Sequence, residues 1–176
     1  MSVLRIHTSE LREKLAELHA GDSILLSGTI YTARDAAHKL ITALMDDKEE
    51  LPFDLKDAVI YYAGPTPAKN GMAVGSCGPT TSSRMDVFAP KLIEKGLVSM
   101  IGKGQRNEAV VSAMKDHGAV YFCAIGGAGA LAAKSIKSCE VIAFPELGCE
   151  SVKKMYIEDL ALIVGIDCEG NSIFKR

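Results

Sequence analysis

Residues 23 to 47 read SILLSGTIYTARDAAHKLITALMDD, and the change of period inside this stretch decides the fold class. Its first part, 23–33, is apolar and partly β-branched, which predicts a buried strand, whereas from Arg34 to Asp47 apolar residues recur at helical spacing. A strand that hands over directly to a helix is the repeating unit of α/β architecture. Thr32, Ala33 and Arg34 sit at the handover.

The alternation continues on both sides. Upstream, HTSELREKLAELHAGD (7–22) predicts an amphipathic helix capped by Thr8 or Ser9, with Leu11, Leu15 and Leu18 on one face and Gly21 as its stop. Downstream, AVIYYAG (58–64) predicts a strand, and a loop rich in Gly and Pro follows. From Thr80 or Thr81 a helix is expected to run to Gly96 with Met85, Phe88 and Leu92 inward, shortened or kinked by Pro90. LVSMIG (97–102) and AVYFCAIGG (119–127) predict strands around the helix QRNEAVVSAMKDHG, and AGALAAKSI a short helix. Strands predominate after CEVIAFP, with a turn at Glu169, Gly170 and Asn171. This order predicts an α/β fold with a mixed central sheet flanked by helices.

At 176 residues the chain is expected to form one domain, 1–176. With 48% hydrophobic and 24% charged residues it has the composition of a compact fold. A net charge of -2 offers no general basic field for nucleic acid or an acidic membrane. No apolar run approaches the roughly 20 residues that span a bilayer, and MSVLRIHTSELREK lacks the apolar core of a signal peptide, so a cytoplasmic location is expected. The five cysteines, Cys77, Cys123, Cys139, Cys149 and Cys168, show no CxxC pair or cluster-ligand spacing and read as reduced thiols.

Four polar or glycine-rich segments follow strands: TARD, GPTTSSRMD (78–86), GKGQR (102–106) and GGAGALAAKS (126–135). In α/β sheets such strand ends line the ligand crevice. GPTTSSRMD reads either as an anion receptor, with backbone N–H groups, hydroxyls and the forked donor Arg84, or as a helix cap with spare hydroxyls. Arg34, Lys103 and Arg106 read as crevice cations or as surface charges. Asp35 and Asp86 read as partners that orient the arginines or as helix-start carboxylates. His38, one turn after Arg34, is within reach of the crevice. The nucleotide-binding signatures are incomplete, since GAGALAAKS lacks the glycine before its lysine and GKGQ lacks the following Ser or Thr.

Taken in order, GTIYTARDAAHK, YYAGPTPAKNG, GSCGPTTSSRMD, GKGQRNEAV and SIKSCEVIAFPELGCESV resemble the iron-sulfur-dependent class I fumarate hydratases. The likeness is to their carboxy-terminal domain, which many organisms carry as a separate β subunit; the L-tartrate dehydratase β subunit belongs to the same group. It covers the chain from about residue 20 to 174.

The resemblance implies a swivelling β/β/α domain and a reversible hydro-lyase that adds water to fumarate to give L-malate. It implies a 4Fe-4S cluster held by the partner α subunit rather than by this chain, and an α2β2 heterotetramer. Carried over, Arg34, Arg84 and Lys103 fall on substrate-carboxylate positions and Thr80 on a hydroxyl implicated in proton transfer. The alternatives are an L-tartrate dehydratase β subunit and a stand-alone dicarboxylate-binding regulatory module. The choice among fumarate, tartrate and a methylated relative rests on contacts to one or two substituents and on the second subunit.

Overall fold

The computed structural model describes residues 2–125 and 127–175. Among the described residues seven strands form the sheet: β1 (Leu4–His7), β2 (Ser23–Thr32), β3 (Val59–Tyr61), β4 (Ser99–Gly102), β5 (Val120–Cys123), β6 (Ile136–Ala143) and β7 (Val152–Ile166). Their order is β1-β2-β3-β4-β5-β7-β6, and β7 pairs with β2 as well. That extra pairing closes β2, β3, β4, β5 and β7 into a ring. The pairs from β1 to β5 are parallel, while β7 runs antiparallel to β2, β5 and β6, so the sheet is mixed as expected.

The central strands are buried on both faces, and their alternation feeds two cores. Val59, Tyr61, Ile101, Val120 and Phe122 face one core with Leu26, Ile30, Ile157, Leu162 and Val164 from β2 and β7, into which Leu11, Leu15 and Ala133 also pack. Ile60, Tyr62, Met100 and Tyr121 face the other way, against α2 (Asp35–Asp46), α3 (Ala89–Glu94) and α4 (Glu108–His117). Two β layers and one helical layer therefore share the strands β3 to β5, which is the β/β/α arrangement. Along β2 every second residue from Ile24 to Thr32 is buried, as a period of two requires. The register slips by one residue at Gly28, whose φ of 120° belongs to glycine; a Cβ there would lie 2.2 Å from Thr8 Oγ1.

Three expectations are corrected. The amino-terminal helix is a short α1 (Leu11–Lys14) between two 3-10 turns, Thr8–Glu10 and Leu15–Glu17. Its cap is His7, not Thr8 or Ser9: His7 Nδ1 accepts from the Ser9 amide at 3.2 Å, and Glu10 accepts from the His7 amide at 3.1 Å. Thr8 cannot play that part because it is buried against Gly28. Leu11, Leu15 and Leu18 are nevertheless all buried, as their spacing predicts. Before them lies β1, which the amphipathic reading passed over.

The helix expected from Thr80 to Gly96 is two pieces, a 3-10 turn at Ser82–Met85 and α3. Pro90 lies in the first turn of α3, where its missing N–H costs no hydrogen bond. After CEVIAFP, most of ESVKKMYIEDL and the start of ALIVGIDCEGNSIFKR, which read as separate segments, form one 15-residue strand, β7. The turn that follows is built on Asp167, whose buried carboxylate accepts from the amides of Ala20, Glu169 and Asn171. Helix α5 (Gly129–Ser135) matches the short small-residue helix read from AGALAAKSI.

Candidate active site

Three of the four glycine-rich or polar segments meet at the carboxyl ends of β2, β3 and β4. Arg34 occupies the cap position of α2 with extended backbone, φ -109° and ψ -164°, so it stands at the turn between strand and helix. The chain entering GPTTSSRMD is stitched to β3 and β4: the Thr80 amide donates to the Tyr62 carbonyl at 2.7 Å and the Ser82 amide to the Lys103 carbonyl at 3.0 Å. Thr81 and Lys103 pair as a parallel bridge. Thr80 thus sits one residue from the backbone of Lys103, half-buried, while Arg84 and Lys103 are exposed.

Carboxylates link the arginines. Asp35 lies 4.0 Å from Arg34 Nε through Oδ1 and 3.9 Å from Arg84 Nη1 through Oδ2. Glu150 lies 3.4 Å from Arg34 Nε. These are charge contacts too long for good hydrogen bonds, and Arg34 Nε and Asp35 Oδ1 are buried without a hydrogen-bond partner. Arg34, Arg84 and Lys103 outnumber the two carboxylates on this rim, so it carries a local cationic excess within a chain of net charge -2. The rim is open; a cleft of about 450 Å³ lined by Met45, Phe53 and Lys95 has none of these cations in its walls.

Beneath the rim lies a buried network that sequence reasoning did not find. The Arg106 guanidinium is 5.2 Å from the centre of the Tyr62 ring and 5.0 Å from that of Tyr121. Its Nε donates to Asp86 at 2.6 Å and its Nη2 to the Tyr62 hydroxyl at 3.1 Å. The other Asp86 oxygen accepts from the Asn107 amide at 2.9 Å, at the cap of α4. The Tyr121 hydroxyl donates to the Gly104 carbonyl at 2.8 Å, so its 2.8 Å contact with Ser82 Oγ has the serine as donor. Gly102 permits this approach, since a Cβ there would lie 1.9 Å from Ser82 Oγ. The network ties the Arg84 turn to the Lys103 loop.

Arg106 is therefore neither a crevice cation nor a surface charge, because its side chain is fully buried and paired. Asp86 orients Arg106, not Arg84. His38 does not reach the rim either. It is fully buried against Tyr62 and Phe88, and its Nδ1 donates to the Arg34 carbonyl at 2.9 Å, leaving Nε2 without a partner. Burial, followed by the nearby Arg106, pulls its pKa down to about 4 against the opposing bond to Arg34.

A histidine held neutral in the folded state stabilises it fully above the unfolded pKa of about 6.5 and loses that stabilisation as pH falls toward about 4. Stability measured by denaturant titration should drop by about 3 kcal/mol between pH 7 and pH 4 on this account alone. His38→Gln should remove that part of the slope.

The fourth segment supports the rim without adding a cation. Gly129 packs on Ser76 and Gly78, and its carbonyl accepts from the Cys77 amide at 3.1 Å, while Lys134 and Lys137 are exposed. Gly126 of that segment lies outside the described residues. Cys77 is buried, with burial pushing its thiol up to about 12, and Cys149 is exposed. Among the described residues no three His, Cys, Asp or Glu side chains are grouped to hold a metal, so this chain's own residues do not fit an iron-sulfur cluster.

Fold and rim together define a β/β/α fold with a mixed sheet that presents a cationic rim at its parallel strand ends. The profile of the family described as Fumarase C-terminus matches residues 1–176, and the chain belongs to that family. It is 41% identical over 169 residues to the aerobic class I fumarate hydratase of Escherichia coli K12, covering 95% of this chain and 31% of that protein. It is 40% identical to fumarate hydratase 2 of Leishmania major, covering 95% and 30%. With the putative L(+)-tartrate dehydratase subunit beta of Methanocaldococcus jannaschii it shares 38% identity over 171 residues, 94% of this chain and 88% of that protein. The chain thus spans about a third of the length of the fumarate hydratases it matches, and most of a separate β subunit.

Proposed function

We propose that the chain, as one domain of residues 1–176, is the β subunit of a hydro-lyase that interconverts fumarate and L-malate. The observation that carries this reading is the rim itself: Arg34, Arg84, Lys103 and Thr80 stand at the carboxyl ends of neighbouring parallel strands, in a family whose named relatives are fumarate hydratases and a tartrate dehydratase subunit. A C4 dicarboxylate has an anion at each end. Two forked guanidinium groups and an ammonium hold such a molecule across its C2–C3 bond and exclude rotations that would misalign it.

Thr80 is the proposed proton carrier at C3. An aliphatic hydroxyl is a weak base, so a neighbouring carboxylate must accept its proton, and that group belongs to the partner chain. The 4Fe-4S cluster is likewise assigned to an α subunit, in a cytoplasmic α2β2 assembly. No described helix is long and apolar enough to cross a membrane. L-tartrate dehydration is the second reading, favoured by the coverage of the Methanocaldococcus jannaschii subunit.

The test is co-expression with an α subunit of the family under anaerobic conditions. The complex is expected to hydrate fumarate or dehydrate tartrate while the chain alone does neither. Turnover by the chain alone, or tight dicarboxylate binding to it in calorimetry with an inert complex, would favour an independent enzyme or a regulatory module instead.

A further inference from the structure

Glu150 reaches the rim from a loop, not from the end of a parallel strand, and a buried amine underlies that loop. Residues Pro145–Glu150 form a 3-10 segment entered through Phe144 at φ 53° and interrupted at Gly148, φ 63°. Lys153, the second residue of β7, is 8% exposed. Its Nζ faces the carbonyls of Gly148 at 3.4 Å, Cys149 at 3.0 Å and Ser151 at 3.2 Å, and the Ser151 hydroxyl at 2.8 Å. Three N–H donors serve four acceptors, so the ammonium gathers the loop backbone around one point. Burial pulls its pKa below the ordinary lysine value. A methionine would fill the same space without desolvating a charge, so what the amine adds is the direction of those carbonyls.

The same residue is fastened to the site's other wall. Its backbone amide donates to Thr32 Oγ1 at 3.2 Å, two residues before Arg34, and Thr32 Oγ1 donates to the Ser151 carbonyl at 3.4 Å. Gly64 lies between the loop and Arg34: a Cβ there would be 3.1 Å from the Cys149 carbonyl and 3.4 Å from Arg34 Cδ. The Arg34 stem is thereby confined between Gly64 and the carboxylate of Glu150.

We propose that Lys153 is a positioning residue, setting the 145–151 loop so that the Glu150 carboxylate stays in charge contact with the Nε edge of Arg34 and leaves the terminal nitrogens for a carboxylate of the substrate. This rests on the reading of Arg34 as a carboxylate-binding residue, and the test separates the two. The Arg34 Nε–H resonance, assigned by its loss in Arg34→Lys, is followed by nitrogen-proton NMR in the chain, and KM and kcat for fumarate in the complex with the α subunit. Lys153→Met and Glu150→Ala should each shift that resonance and raise KM about tenfold with kcat changed less than about threefold. Glu150→Gln should recover part of the effect, and Lys154→Met, at the exposed neighbour, should show none.

An unmoved resonance in Glu150→Ala, or one that moves in Glu150→Ala but not in Lys153→Met, overturns the proposal. Should Lys153→Met not fold, Lys153→Arg serves, because the planar fork cannot enter the carbonyl cage. If the resonance moves as expected while KM ignores even Arg34→Lys, the positioning stands and the substrate assignment of Arg34 falls.

Discussion

On the proposed function, Arg84→Lys is expected to lower kcat/KM for a C4 dicarboxylate about a hundredfold in the complex with an α subunit, with the fold intact. The charge survives this change, but the planar pair of donors does not, and a point-like ammonium on a different stem cannot replace a bidentate contact. Losing charge-assisted hydrogen bonds worth about 3 kcal/mol in the transition state corresponds to that factor. Arg84 is exposed, and among the described residues its charge partner is Asp35 at 3.9 Å, so little of the effect should come from stability. Steady-state kinetics beside a thermal melt decide it. A melt unchanged with kcat/KM within about threefold of the parent would remove Arg84 from the site.

Arg106→Met is expected to be the most damaging single change to stability, about 3–5 kcal/mol, because it strands the buried Asp86 carboxylate without its cation. The tyrosine rings on either side would also lose their cation. The double variant Asp86→Asn, Arg106→Met should recover part of the loss, since it removes the orphaned charge along with its partner. Denaturant midpoints for the parent, the two single variants and the double variant give the coupling directly. Since Asp86 follows Arg84 by two residues and accepts from Asn107, the single variants should also loosen the geometry of the rim.

Arg84 and Arg106 look alike in the sequence. Each follows a turn after a strand, and each has an acidic or amide residue close behind. What separates them is the ring-lined slot formed by Tyr62 and Tyr121, which come from different strands and swallow one guanidinium but not the other. His38 is kept from the crevice for a similar reason: one helical turn from Arg34 is close along the chain, yet that face of α2 packs on Tyr62 and Phe88. The break between Met85 and Ala89 was half-legible through Pro90, and the capping role of His7 was not, because it depends on Thr8 being drawn into the bulge at Gly28.

The resemblance to the class I fumarate hydratases singled out Arg34, Thr80, Arg84 and Lys103, whereas the change of period at Ala33 and Arg34 made the chain α/β and the four strand-end segments marked a crevice. The fold class and the crevice follow from local spacing, which the backbone geometry of strands and helices imposes on any sequence. Closure of the sheet by β7, burial of Arg106 and arrival of Glu150 beside Arg34 were settled only in three dimensions. Thr32 and Ser151, which join the two walls of the site, are 119 residues apart. Such contacts depend on which elements pack together, and a long side chain meets water or a partner according to neighbours that no local period encodes.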